Sequence, residues 1–299
     1  MRRTLKFVTV VLAVLLTVAG ALTLDACARR RPSASPLAPP TATTTTAAPA
    51  SPTTGPTPTG APPSRRPTVA PTTPGPIRTT APGVPAGLRG KDIEVIPTAQ
   101  RIVALTFDAG ANADAVPSIL TTLRANGIHA TFFLTGSFAS DFPGAVRAIT
   151  AAGHRIGNHT ATHPHCPTLS DTSLRNQLST AEAQIRAAGG GSTRPLFRFP
   201  YGDRTTHTIG VVNAAGYVAI RWTVDSLGWQ GLNGRTLAQA TQFVTERVVA
   251  AARPGEIVLM HVGSNPDDHT TLDAAALPTV ISRLRAAGYR FVTLDTLLG

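Results

Sequence analysis

From residue 91 onward the chain alternates short apolar runs with segments of helical spacing, and this alternation most restricts its fold. The apolar runs span 102–108, 130–135, 155–158, 196–199, 217–224, 257–261 and 290–294. Between them, 113–124, 173–188, 237–252 and 277–287 carry helical patterns, and Gly127, Gly153, Gly189, Gly216 and Gly288 supply the usual stop after a helix. Strand–helix alternation predicts parallel βαβ units in an α/β fold. Seven strands in about 200 residues fit a distorted seven-stranded (β/α) barrel; an open sheet with the same count gives the same pattern.

What precedes this head is of another kind. Arg2, Arg3 and Lys6 stand before an apolar run at 7–24, the layout of a secretory leader. The run is also about long enough to span a bilayer. Leu24-Asp25-Ala26-Cys27 then resembles a bacterial lipobox, with an atypical aspartate. Residues 1–28 therefore read as a signal peptide or a membrane or lipid anchor, with a lipoprotein held through Cys27 favoured over an uncleaved anchor or cleaved secretion. Residues 29–90 read as a disordered Pro/Thr-rich linker, because 32–88 contain no aromatic residue and too little apolar surface to order themselves. Anchor, tether and head together place residues 91–299 outside the cytoplasm, on the membrane or in the wall, with membrane contact through the N-terminal anchor only.

Charge narrows the partners. Formal net charge is +11, but residues 1–90 hold ten basic residues and one acidic, whereas 91–299 hold 17 and 15. A nucleic-acid-binding domain carries its basic excess on the domain itself, so that class is excluded for the head. Two cysteines, Cys27 and Cys166, make no disulfide framework. Cys166 reads as a small apolar filler.

Unusual polar groups fall at or just after the strand ends. Asp108 closes the first strand within Thr106-Phe107-Asp108-Ala109-Gly110. His159-Thr160-Ala161-Thr162-His163 follows the third, Arg198-Phe199-Pro200-Tyr201-Gly202 the fourth, and Asp225 and Trp229 the fifth; Leu259-Met260-His261 closes the sixth. With parallel strands all five converge on the carboxyl-end face, where sites in such folds are built. His159 and His163, four apart beside an acid, are the candidate metal ligands.

Taken in order, these five groups resemble the motifs of the polysaccharide deacetylase family, carbohydrate esterase family four. The resemblance spans about 99–299 and extends to the closing segment 288–294. It implies a deacetylase-type barrel and a metal-dependent hydrolase that removes N-acetyl groups from a polysaccharide, with peptidoglycan the favoured substrate given the tether. It implies a divalent metal, expected to be Zn2+, on His159 and His163. Asp108 is then the general base, Arg198 the residue that orients it, and His261 the acid that protonates the leaving amine. The backbone N–H of Tyr201 stabilises the oxyanion, and Trp229 and Leu259 wall the acetyl pocket. The head is expected to act as a monomer on N-acetylated polysaccharide.

Two departures from the resembled pattern matter. The family has a second aspartate, a metal ligand, where this chain has Ala109; Asn112, Asp114 and His165 are the substitutes within sequence reach. The family often has an aspartate just before the tryptophan, where this chain has Gly228. Either Asp225 takes over its task of keeping the acid histidine protonated, or His261 lacks a partner. A weakened, glycan-binding descendant of the enzyme is the alternative reading.

Overall fold

The computed structural model describes residues 84–299. The leader, Cys27 and the linker up to residue 83 lie outside the described residues. Nine strands and seven α-helices follow in order. The strands are β1 (Asp92–Ile93), β2 (Ile102–Ala109), β3 (Thr131–Leu134), β4 (Arg155–Asn158), β5 (Leu196–Phe197), β6 (Val218–Ile220), β7 (Val224–Asp225), β8 (Glu256–His261) and β9 (Arg290–Phe291). The helices are α1 (Val116–Ala125), α2 (Gly136–Asp141), α3 (Pro143–Ala151), α4 (Asp171–Ala187), α5 (Thr206–Ala214), α6 (Leu237–Ala250) and α7 (Leu272–Ala286). Among the described residues no helix is long and apolar enough to cross a membrane.

All ladders between the strands are parallel, in the order β1-β6-β5-β4-β3-β2-β8-β7, with β9 also on β2. β6 lies near one end of this order and β7 at the other, yet only residues 221–223 join them. The four Cα steps from Ile220 to Val224 span about 14 Å at most, so the sheet must curl until its ends meet. The gap is strapped by the segment after β1: Arg221 N–H donates to the Ile93 carbonyl at 2.8 Å, Thr223 Oγ1 donates to the Glu94 carbonyl, and Ile96 N–H donates to Gly255. The result is the expected (β/α) barrel, distorted and incompletely closed. The run at 217–224 divides in two because its halves pair with different neighbours, β6 with β1 and β5 and β7 with β8. With β1 added, the described strands number nine rather than seven.

β2 organises the core. All eight of its residues are buried, as expected for a parallel strand covered on both faces. Val103, Leu105, Phe107 and Ala109 belong to the outer apolar layer with Ile119, Leu123, Val244, Val248, Val280 and Leu284 of the helices. Ile102 and Ala104 point into the barrel with Phe133, Leu196, Val218 and Ile257. Strand alternation therefore sends Asp108 to the interior face and Ala109 to the helix side. Folding starts by Val84, earlier than the boundary at 91, because Val84 and Leu88 join the interior cluster. The helices are closed by local chemistry. Ser170 caps α4, and Thr205–Thr208 and Thr236–Gln239 form capping boxes on α5 and α6. The N-terminal turn of α7 escapes the sequence pattern because Pro278, ordinarily a helix breaker, sits inside the helix.

Glu256 is a cost carried by this architecture. It opens β8, is fully buried, and neither carboxyl oxygen has a hydrogen-bond partner. Burial, opposed only by Arg253, pushes its pKa up to about 8. The folded state therefore keeps a proton that the unfolded state releases, and this group's contribution falls as pH rises from about 4.5 to 8. Glu256→Gln is expected to gain stability over the parent on going from pH 4 to pH 8.5, by on the order of 4 kcal/mol. Urea unfolding at both pH values checks this; an equal difference at the two would show that Glu256 does not titrate as described.

Candidate active site

The parallel register of β2 with β8 sets Asp108 directly beside His261. Both side chains open onto a cavity of about 610 Å³ at the carboxyl ends of the strands, within the usual range for a small-molecule site. His159, His163, Tyr201, Asp225, Trp229 and Leu259 line the same cavity. Arg198 stands behind it, fully buried. The fold thus gathers every sequence-predicted site residue into one place.

Asp108 is held from two sides. Arg198 Nη1 donates to its Oδ1 at 2.7 Å, and its Oδ2 lies 3.4 Å from His159 Nε2. Arg198 also donates to the carbonyls of Arg221 at 3.0 Å and Ile220 at 3.4 Å, and its guanidinium lies over the Phe133 ring at 4.2 Å. Burial alone would raise the Asp108 carboxyl; Arg198 first, then His159 and His261, outweigh it and hold the group below the ordinary carboxylate range. Asp108 is ionised at neutral pH.

His159 and His163, the candidate metal ligands, lie together at the cavity. His159 Nδ1 donates to the Arg198 carbonyl at 2.9 Å. The tautomer is thereby fixed and Nε2 keeps its lone pair, the usual outer-shell arrangement for a ligating imidazole. The rings of His159 and His163 meet edge-on at 4.8 Å. Burial, followed by His159, pushes His163 down to about 4, and burial likewise lowers His159. Both are neutral near pH 7, the form that binds a cation. The donor chemistry of this pair, with Asp108 adjacent, suits a divalent ion. Among the described residues no group of three or more His, Cys, Asp or Glu side chains forms a ready-made cage.

The considered substitutes for a third ligand are engaged elsewhere. Asn112 Oδ1 accepts from Ser264 N–H at 2.8 Å, and Asp114 Oδ2 accepts from Ser264 Oγ at 2.5 Å. His165 pairs with Asp203 at 3.0 Å and stacks on Tyr201. Cys166 is buried in a third apolar cluster and its thiol is pushed up to about 12 by burial, so it stays protonated.

The loops around the cavity are strained. Thr160, His163, Tyr201 and Leu227 all have positive φ, near 60–70°, a conformation costly for residues with a side chain. Local hydrogen bonds hold three of them: Asn158 Oδ1 accepts Thr160 N–H, Thr160 Oγ1 accepts His163 N–H, and Asp225 Oδ1 accepts Leu227 N–H. Asn158 is itself locked by donating to the Leu178 carbonyl and the Tyr217 hydroxyl, which in turn donates to Glu182. Asp225 Oδ2 also accepts Trp229 Nε1–H at 3.3 Å. Its carboxylate thus orients Trp229 and makes no hydrogen bond to His261. The partner of His261 is Asp273 of α7: Oδ2 accepts the His261 backbone N–H at 2.8 Å and lies 3.4 Å from Nδ1. The sequence does not mark Asn158, Tyr217 or Asp273 as site residues, nor Trp222, which also lines the cavity. Only Asn158, two residues before a loop at the end of a strand, carried a signal for its capping task.

A barrel that gathers a buried carboxylate, three histidines and an open cavity at its strand ends has the layout of an enzyme site. The family profile described as polysaccharide deacetylase matches residues 96–220. A peptidoglycan-N-acetylglucosamine deacetylase of Bacillus cereus is 33% identical over 195 residues, covering 65% of this chain and 67% of that protein. A chitooligosaccharide deacetylase of Azorhizobium caulinodans is 32% identical over 198 residues, covering 64% and 91%. A peptidoglycan-N-acetylglucosamine deacetylase of Listeria monocytogenes is 35% identical over 217 residues, but the match spans only 42% of its length. Among solved structures, a peptidoglycan N-acetylglucosamine deacetylase bound to an N-oxidanyl-benzamide gives a TM-score of 0.61 at 31% identity, covering 69% of this chain and 91% of that one. A wild-type Bacillus anthracis pseudoenzyme of carbohydrate esterase family 4 gives 0.63 at 28%, covering 71% and 70%. This chain belongs to the polysaccharide deacetylase family.

The donor pair makes a direct prediction. The purified protein, loaded with zinc and dialysed, is expected to retain about one ion, and the His159→Ala/His163→Ala variant none. Elemental analysis reads this; full occupancy in the double variant would move the metal elsewhere.

Proposed function

We propose that the head is a metal-dependent hydrolase that removes N-acetyl groups from cell-wall glycan, peptidoglycan or a related N-acetylated polysaccharide. The observation that carries the reading is the Asp108–His261 pair on adjacent strands, one carboxylate whose pKa is held below and one imidazole whose pKa is held above the ordinary value, beside two neutral histidines. His159 and His163 hold the ion, expected to be Zn2+. When bound, the ion polarises the acetamide carbonyl and acidifies a water.

Asp108 takes the proton as water adds to the acetamide carbon, and Arg198 keeps the carboxylate aimed and charged. The Tyr201 backbone N–H supplies a donor for the developing oxyanion. His261 then gives a proton to the departing nitrogen as the C–N bond breaks, leaving acetate and a free amino sugar. Leu259 and Trp229 form the apolar seat for the acetyl methyl. Trp229 and Tyr201, 50% and 61% exposed, offer faces to the sugar rings. The leader and tether support action outside the cytoplasm.

A second reading keeps the fold but not the turnover: a glycan-binding head with a weakened ion. Ala109 favours it, because this residue lines the cavity yet offers only a methyl, which packs with the outer apolar layer and is no ligand. A pseudoenzyme is also among the structural neighbours. Acetate release from peptidoglycan and from chitooligosaccharides by the zinc-loaded protein separates the two; binding without release supports the second.

Two variants test the roles. Asp108→Asn is expected to keep the fold and the ion but lose about 10²–10⁴-fold in acetate release; near-parental turnover would mean another base. Arg198→Gln removes the largest influence lowering the Asp108 pKa, so burial prevails and the acidic limb of the kcat/KM profile should move to higher pH, with Arg198→Lys in between. An unmoved limb in a folded Arg198→Gln protein would detach that limb from Asp108.

A further inference from the structure

His261 ends β8 with its ring on the cavity, and the groups facing it come from four directions. Asp108 lies on β2, Asp225 on β7, His159 and His163 on the loop after β4, and Asp273 on α7. Asp108 is engaged by Arg198, and Asp225 by Leu227 and Trp229. That leaves Asp273, which is 3% exposed. Its Oδ2 is anchored on the His261 backbone N–H and lies 3.4 Å from Nδ1. His261 Nδ1 and Asp273 Oδ1 are both buried with no hydrogen-bond partner. Asp273 also sits in the first turn of α7, where the helix dipole favours a carboxylate.

Gly228 completes the arrangement. A Cβ placed there would lie 2.5 Å from Asp273 Cγ and 2.8 Å from Oδ2, closer than real Cβ atoms come. Its φ is not in the left-handed region, so the backbone does not require glycine; the room does. A side chain at 228 and the carboxylate at 273 compete for one volume.

We propose that Asp273 is the positioning residue for His261. Its carboxylate fixes the imidazole with Nδ1 toward α7 and the other nitrogen toward the substrate, and position 228 is glycine to admit it. The assignment rests on the deacetylase reading above and adds a residue to it. Burial alone would depress the His261 pKa; Asp273, then Asp108 and Asp225, raise it above the ordinary value. Loss of the Asp273 charge should therefore lower it.

The test uses the full chain with 15N-labelled histidine, and the variants Asp273→Asn, Asp273→Ala and Gly228→Asp/Asp273→Ala. Asparagine retains an acceptor for the His261 N–H, which protects the fold. In Asp273→Asn the His261 titration midpoint is expected to fall by about one pH unit. kcat should drop about 10²-fold with KM within about twofold, and the alkaline limb of the profile should move to lower pH. The double variant returns a carboxylate from the other side and should exceed Asp273→Ala at least tenfold in kcat. An unchanged midpoint and an unchanged alkaline limb in folded Asp273→Asn would overturn the proposal. A double variant no better than Asp273→Ala would overturn the shared-volume argument. If the parent releases no acetate from any N-acetylated glycan, the deacetylase reading fails, and the His261 midpoint still decides the pairing.

Discussion

The buried ion pair between Arg198 and Asp108 is the constraint on which both the barrel and its site depend. A guanidinium stripped of water is tolerated only when its donors are satisfied and its charge is met. Here the donors are spent on a carboxylate from β2 and on two carbonyls, one at the end of β6 and one just past it, and the flat face lies on Phe133 of β3. One side chain thus ties three strands of a sheet whose closing edge has few ladder bonds. The same contacts leave Asp108 charged in a buried place. The pair depends on both partners: without its arginine Asp108 would lose the largest influence lowering its pKa, and without Asp108 the arginine would be an uncompensated buried charge.

Around that pair the loops are held by polar networks in place of apolar packing. Asn158 shows the logic. It ends β4, caps the strained Thr160 with one side of its amide, and is fixed through Tyr217 to Glu182 on α4 with the other. Glu182 in turn takes Arg194 and Arg186. The backbone carbonyl that sets the His159 tautomer belongs to Arg198 itself, so His159 and Asp108 are oriented by one residue.

The acid end of the site is built differently from what its motif suggests. Where an aspartate is expected before Trp229 the chain has Gly228, and the space is filled by Asp273 from a helix 45 residues later in sequence. The missing carboxylate is relocated, not lost. No such relocation is seen for Ala109, whose neighbours Asn112 and Asp114 are bound to Ser264. The two departures therefore differ in kind. One is compensated by packing, and the other leaves the histidine pair, among the described residues, with Asp108 as its one ion-pairing carboxylate.

The sequence by itself determined the class of fold and the membership of the site. Period and punctuation are local properties, so the alternation of strands and helices, and the polar residues at strand ends, were legible in 102–108, 155–163, 196–202 and 257–261. Burial on both faces made β2 a continuous apolar run, and parallel order alone forces Asp108 and His261 onto one end. The tertiary structure decided what depends on contacts between distant segments. The run at 217–224 became two strands because its halves find different partners. Val84 and Leu88 left the linker for the barrel interior, and α7 ran through Pro278 because packing against α6 outweighs one lost backbone bond. Asp273, two residues into that helix, meets His261 only once β8 and α7 are docked. No spacing in the chain records that meeting, because its register is set by the packing of a helix on a sheet.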